Sequence, residues 1–108
     1  MKEVANCLFG LMSKSLGLDQ KIILNIFKDR TQAVRINYYP PCPKAEMVIG
    51  LSPHTDGAGL TLLLQVSEAQ GLQINKDGNW LPIKAIPGAL IVNIGDILEV
   101  IKFRIILV

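Results

Sequence analysis

Apolar and polar residues alternate with two different periods along this chain, and the change falls near residue 32. Before it, Val4, Cys7, Leu8, Leu11 and Met12 recur at helical spacing. Gly17 is a stop signal for that helix. Asp19 is placed to cap a second, short helix whose expected buried face is Ile22, Ile23, Ile26 and Phe27. Asp29-Arg30-Thr31 reads as a polar connection. After it the period becomes two. Val34, Ile36 and Tyr38 alternate with Arg35, Asn37 and Tyr39, which predicts a strand. Pro40, Pro41 and Pro43 end it, because proline has no N–H to give to a ladder.

Further extended runs are expected over 47–51, 60–66, 71–75, 80–83 and 89–94. Lys76-Asp77-Gly78-Asn79 and Pro87-Gly88 are turn signals between them. Short strands at this spacing predict an all-β sandwich or barrel, with the two leading helices packed outside. Gly95-Asp96 breaks the last strand, and residues 103–108 read as β-prone and apolar apart from Arg104. The expected organisation is a helical segment over 1–32, a barrel portion over 33–101 and a divergent tail over 102–108.

Composition narrows the function classes. Half of the 108 residues are hydrophobic and 19% are charged, which argues against disorder. The net charge of +2 comes without a dense Lys/Arg run, so nucleic acid is not an expected partner. Asp96, Glu99, Lys102 and Arg104 interrupt the apolar C-terminal stretch, so no membrane span is expected. Lys2 followed by the apolar stretch over 4–12 has a faint signal-peptide look. Asn6 interrupts it and no small-residue cleavage site follows, so an amphipathic helix is the better reading. Cys7 and Cys42, far apart in sequence, are expected as free thiols in a reducing, cytoplasmic setting.

The candidate chemistry centres on His54-Thr55-Asp56. In an extended segment, residues i and i+2 share a face, so an imidazole and a carboxylate stand side by side. Two His and one carboxylate on one face of Fe(II) leave positions open for substrate and oxygen. Alone, the triplet is weak and reads first as a surface His beside a turn Asp. Asn37 and Tyr39 also share a face. They read either as an amide and a phenol that bind a carboxylate-bearing ligand, or as a strand-end Asn and a half-buried core Tyr.

Taken in order, three runs carry a resemblance: Asn37-Tyr38-Tyr39-Pro40-Pro41-Cys42-Pro43, Gly50-Leu51-Ser52-Pro53-His54-Thr55-Asp56 and Gly59-Leu60-Thr61-Leu62-Leu63-Leu64-Gln65. Gly71-Leu72-Gln73-Ile74 and Pro87-Gly88-Ala89-Leu90-Ile91-Val92-Asn93-Ile94-Gly95-Asp96 continue it. Together they resemble the plant 2-oxoglutarate/Fe(II)-dependent dioxygenases, in the branch of senescence-related, norcoclaurine-synthase-like and alkaloid O-demethylase proteins. The resemblance implies a mainly β fold with N-terminal helices, a partial double-stranded β-helix or jelly roll whose C-terminal strands are missing. It implies His54 and Asp56 as iron ligands in an interior-facing pocket, and Asn37 and Tyr39 as residues that help hold 2-oxoglutarate. Fe(II) is then the cofactor, 2-oxoglutarate the cosubstrate and ascorbate a supporting reductant. The implied reaction oxidises a small organic substrate with O2 and yields succinate and CO2.

One departure bears on mechanism. His54 is the only histidine among the 108 residues, whereas the family pattern has a second, later His and an Arg-x-Ser pair beyond it. Asp96 and Glu99 are the nearest alternative carboxylates, but Asp96 matches a family position that is not a ligand. The chain alone is therefore expected to be inactive. The alternative is a non-catalytic remnant that binds metal weakly or self-associates through open sheet edges.

Overall fold

The computed structural model describes the backbone over residues 1–106 and the side chains over residues 1–101. Its contacts divide the chain into two compact units, Met1–His54 and Thr55–Val108.

The first unit begins with two helices, α1 (Lys2–Ser15) and α2 (Lys21–Phe27). Gly17, at φ +70°, turns the chain out of α1, a conformation that costs glycine nothing. The start of α2 shows why a seven-residue helix persists here. Its first three N–H groups have no partner inside the helix. Asp19 Oδ1 accepts from the Lys21 N–H at 2.8 Å, and the Asp19 carbonyl accepts from Ile22 at 3.0 Å. Ser13 Oγ, buried on α1, accepts from the Ile23 N–H at 3.2 Å. The rings of Phe9 and Phe27 stack with centroids 4.6 Å apart, and Gly10 lies against the Gln20 side chain.

The buried face differs from the periodic reading. Phe9, Ser13 and Ile23 are buried, whereas Val4, Leu11, Ile22 and Ile26 are exposed. Two short helices bury only the narrow stripe where they meet, so most of the apolar positions stay outside it. Ser13→Ala leaves the Ile23 N–H buried without an acceptor, at a cost of about 1–3 kcal/mol. Urea unfolding followed by circular dichroism is expected to show that loss; a midpoint equal to wild type would refute it.

Residues 28–55 are exposed throughout and contain no strand. The strands expected over 33–39 and 47–51 are thus not formed: the first segment is coil, and a 3-10 turn, Ala45–Met47, opens the second. The alternation is present, but an extended segment becomes a strand only when a neighbour accepts and donates its backbone hydrogen bonds. Val34 and Ile36, each 91% exposed, have no such neighbour among the described residues.

The second unit holds four strands, β1 (Leu60–Leu64), β2 (Gln73–Lys76), β3 (Asn79–Pro82) and β4 (Leu90–Ile94), followed by α3 (Asp96–Ile106). β2 and β3 form the expected hairpin, in register Gln73↔Pro82 to Lys76↔Asn79. Its turn places Asp77 at φ 53° and Gly78 at φ 81°, the paired positive angles of a two-residue hairpin loop. Asn75 Oδ1 accepts from the Gly78 N–H and ties the turn down. Gly88, at φ 73°, supplies the turn before β4.

β1 pairs with β4 antiparallel, Leu60↔Ile94 to Leu64↔Leu90, skipping over the hairpin between them. The pairing runs past the strand ends. Gly95 N–H donates to the Gly59 carbonyl at 2.9 Å, and Asp96 N–H donates to the Asp56 carbonyl at 2.8 Å.

Where a β-prone tail was expected, the chain is helical from Asp96 to Ile106. The Gly95 carbonyl accepts from Leu98 and Glu99, starting the helix, and Leu98 is buried. Asp96 and Glu99 in the first turn oppose the positive end of the helix dipole. The Arg104 side chain and residues 107–108 lie outside the described residues.

Candidate metal-ligand segment

His54 ends the first unit. It is exposed, and its Nδ1 lies 2.8 Å from the Ser52 carbonyl oxygen. A carbonyl only accepts, so Nδ1 is the donor in this contact. Fixing one ring nitrogen on a backbone carbonyl is the usual way a metal-binding imidazole is oriented.

Asp56 belongs to the second unit and is half-buried. Its backbone is held by the Asp96 N–H. Asn93 Nδ2 stands 3.5 Å from Asp56 Oδ2, and the neighbouring Thr55 hydroxyl donates to Asp96 Oδ2 at 2.9 Å. The carboxylate therefore sits on a short stretch of backbone that β4 and the first turn of α3 grip from one side.

Gly95 makes that grip possible. A Cβ there would collide with the Ala58 carbonyl oxygen and come within 2.7 Å of the Ala58 carbonyl carbon and 2.8 Å of the Asp56 oxygen. All of these atoms are backbone, so the contact cannot be relieved by a rotamer change.

Tyr39 and Asn37 lie in the exposed coil of the first unit. The Tyr39 ring packs over Gly50, so close that a Cβ on Gly50 would meet it at 3.2 Å. Tyr39 is 56% exposed. His54, Asn37 and Tyr39 are exposed in the first unit, and Asp56 is half-buried in the second.

Tested against a divalent iron ion, the donor set fits in kind but not in number. An imidazole and a carboxylate two residues later are suitable ligands. No group of three or more His, Cys, Asp or Glu able to hold a metal occurs among the described residues. Sequence reasoning singled out His54 and Asp56 as candidates but missed Thr55, Asn93, Gly95 and Asp96 as the contacts around Asp56. The one available cue was Asn93-Ile94-Gly95-Asp96 within the family-like run, which says nothing about what it touches.

The model of the 2OG-Fe(II) oxygenase superfamily matches residues 30–105. The chain is 50% identical over 101 residues to oxoglutarate-dependent flavonoid 7-O-demethylase 1 of Ocimum basilicum, covering 94% of this chain and 27% of that protein. It is 50% identical over 101 residues to codeine O-demethylase of Papaver somniferum, covering 93% and 28%. It is 48% identical over 103 residues to protein SRG1 of Arabidopsis thaliana, covering 94% and 29%. The chain thus spans less than a third of the length of these relatives. A crystal structure of JOX2 in complex with 2OG, Fe and JA matches with a TM-score of 0.78 at 35% identity, over 90% of this chain and 29% of that one. That likeness gives the fold class: a mainly β, partial jelly roll with N-terminal helices. Sequence likeness at half identity, a family match over most of the chain and a shared fold agree: this chain belongs to the 2OG-Fe(II) oxygenase superfamily.

Proposed function

We propose that this chain is part of an oxidoreductase that uses Fe(II) and 2-oxoglutarate to oxidise a small organic substrate with O2, giving succinate and CO2. The observation that carries this is the His54-Thr55-Asp56 segment: an imidazole held through Nδ1 and a carboxylate gripped by β4 and α3. His54 and Asp56 are the residues that would hold the iron. When bound, the metal activates O2 and anchors the cosubstrate. Asn37 and Tyr39 are offered as donors to 2-oxoglutarate, through an amide and a phenol. Residues 33–101 would form the chain's share of the oxygenase domain, with 1–32 packed outside it and 102–108 as a divergent tail.

Two of the relatives are named O-demethylases, so methyl ethers of the specialised-metabolite kind are the first substrates to test. A cytoplasmic setting fits the free, exposed Cys7 and Cys42. No helix among the described residues is long and apolar enough to cross a membrane. Nucleic acid is not a proposed partner, given the low net charge. The two-stranded sheets leave strand edges unpaired among the described residues, which supports self-association as a second property.

With one histidine among 108 residues, these residues alone do not complete a two-His site. The test is succinate release from labelled 2-oxoglutarate, with Fe(II), ascorbate and O2, in the protein that carries this segment within an intact oxygenase domain. Release is expected there and should be lost in His54→Ala. The 108-residue chain alone is expected to fall at least ~100-fold below it, because a small misplacement of reacting groups already costs that much. An intact-domain protein whose His54→Ala variant releases succinate as fast as wild type would sink the reading.

A further inference from the structure

We propose that Asp96 is a positioning residue, whose backbone N–H and carboxylate clasp Asp56 and Thr55 and so hold the ligand-bearing segment in the conformation that presents the Asp56 carboxylate. The inference rests on the reading of Asp56 as a metal ligand. It adds a task for a residue that sequence reasoning considered only as a stand-in ligand.

Asp96 makes two contacts with two successive residues 40 or so positions earlier in the chain. Its N–H donates to the Asp56 carbonyl at 2.8 Å, and its Oδ2 accepts from the Thr55 hydroxyl at 2.9 Å. A backbone bond alone fixes the height of Asp56 against α3 but leaves the peptide free to pivot. The second bond, one residue along, removes that pivot. Asn93 approaches the carboxylate itself from the adjacent strand end.

The local sequence makes the clasp possible at each point. Gly95 is buried and brings the β4–α3 junction against the Ala58 and Asp56 backbone, where a Cβ has no room. Asp96 occupies the first position of an eleven-residue helix, where its N–H has no partner within α3. That orphan donor is available to Asp56. The carboxylate, favoured at this end of the helix by the dipole, remains available to Thr55. A bond to a charged acceptor is among the stronger hydrogen bonds, and this one survives in a partly exposed setting.

Four variants separate geometry from charge. Thr55→Val removes the hydroxyl and keeps every charge. Asp96→Asn keeps an acceptor and removes the charge. Asp96→Ala removes both, and Thr55→Val/Asp96→Ala closes the cycle. Two readouts are used on the full chain. The first, without metal, is amide exchange at position 96, whose N–H is present in every variant. Loss of the side-chain bond is expected to speed it about fivefold to tenfold in Thr55→Val, with no further change in the double variant. The second is Mn(II) affinity by calorimetry, with Mn(II) as a redox-silent probe. Affinity should fall about 10–100-fold in Thr55→Val and in Asp96→Ala, and the double variant should lose no more than either. Asp96→Asn should retain most of it.

If Asp96→Ala does not fold, Thr55→Val decides, since it alters one exposed hydroxyl. Unchanged exchange at position 96 in Thr55→Val would overturn the clasp. So would wild-type Mn(II) affinity in folded Thr55→Val, or equal losses in Asp96→Asn and Asp96→Ala, which would make the effect one of charge. A wild-type chain whose Mn(II) binding does not depend on His54, but whose position 96 responds to Thr55→Val, would refute the iron reading and leave the clasp standing.

Discussion

His54→Ala is expected to abolish divalent-metal binding by this chain, lowering affinity by ~100-fold or more. Losing a group that only supports a ligand typically costs ~10–100-fold, and losing the ligand itself costs at least that order. Among the described residues no His, Cys, Asp or Glu stands ready as a substitute in a group of three. The wild-type chain should itself bind weakly, because two protein ligands give less than the three of a full facial site. The measurement is an anaerobic titration with Mn(II) in place of Fe(II), with wild type and His54→Ala side by side. Two results would count against the argument. Tight, stoichiometric binding by a wild-type monomer would mean a third ligand from these residues. Equal binding by both proteins would mean the metal sits elsewhere.

The largest stability effect belongs to Gly95→Ala, expected to cost about 2–4 kcal/mol. The added methyl would meet the Ala58 and Asp56 backbone, and nothing there can rotate away. The junction must open instead, at the cost of the Gly95–Gly59 and Asp96–Asp56 hydrogen bonds. In a domain of this size each kcal/mol lowers the melting temperature by roughly 4–8 °C, so a fall of about 8–32 °C is expected. Gly71→Ala is the control, since a Cβ there meets nothing within 4 Å; it should lie within about 0.5 kcal/mol of wild type. A Gly95→Ala protein as stable as that control would show that the β4–α3 junction does not sit against Asp56 as described.

Much of the architecture could be read from local pattern. The two helices, the Asp77-Gly78 hairpin, the Pro87-Gly88 turn and the strands at 60–64 and 90–94 each follow from residues near one another in sequence. Asp19 was recognisable as a helix-start residue, and its side chain does meet the Lys21 N–H. The helix after Gly95 was legible in principle, since Asp96 followed three residues later by Glu99 marks a helix start. The apolar, β-branched tail outweighed that signal. Once the first turn is seeded on the Gly95 carbonyl, each further residue adds a hydrogen bond at small cost.

The turns and the helix stops are local, and residue type with spacing determined them: a glycine where φ must be positive, an aspartate before a helix. Partnership over long sequence separation had no such marker. Whether the alternating segment at 33–39 becomes a strand depends on a backbone neighbour, and no alternation of side chains supplies one. Which helix faces are buried depended on where α1 and α2 cross, which gave Ser13 and Ile23 the interior and left Leu11 outside. Only the pairing of β1 with β4 brought Asp96 to Thr55 and Asp56, because hydrogen bonds between residues 37 to 41 positions apart exist only once the strands between have folded back.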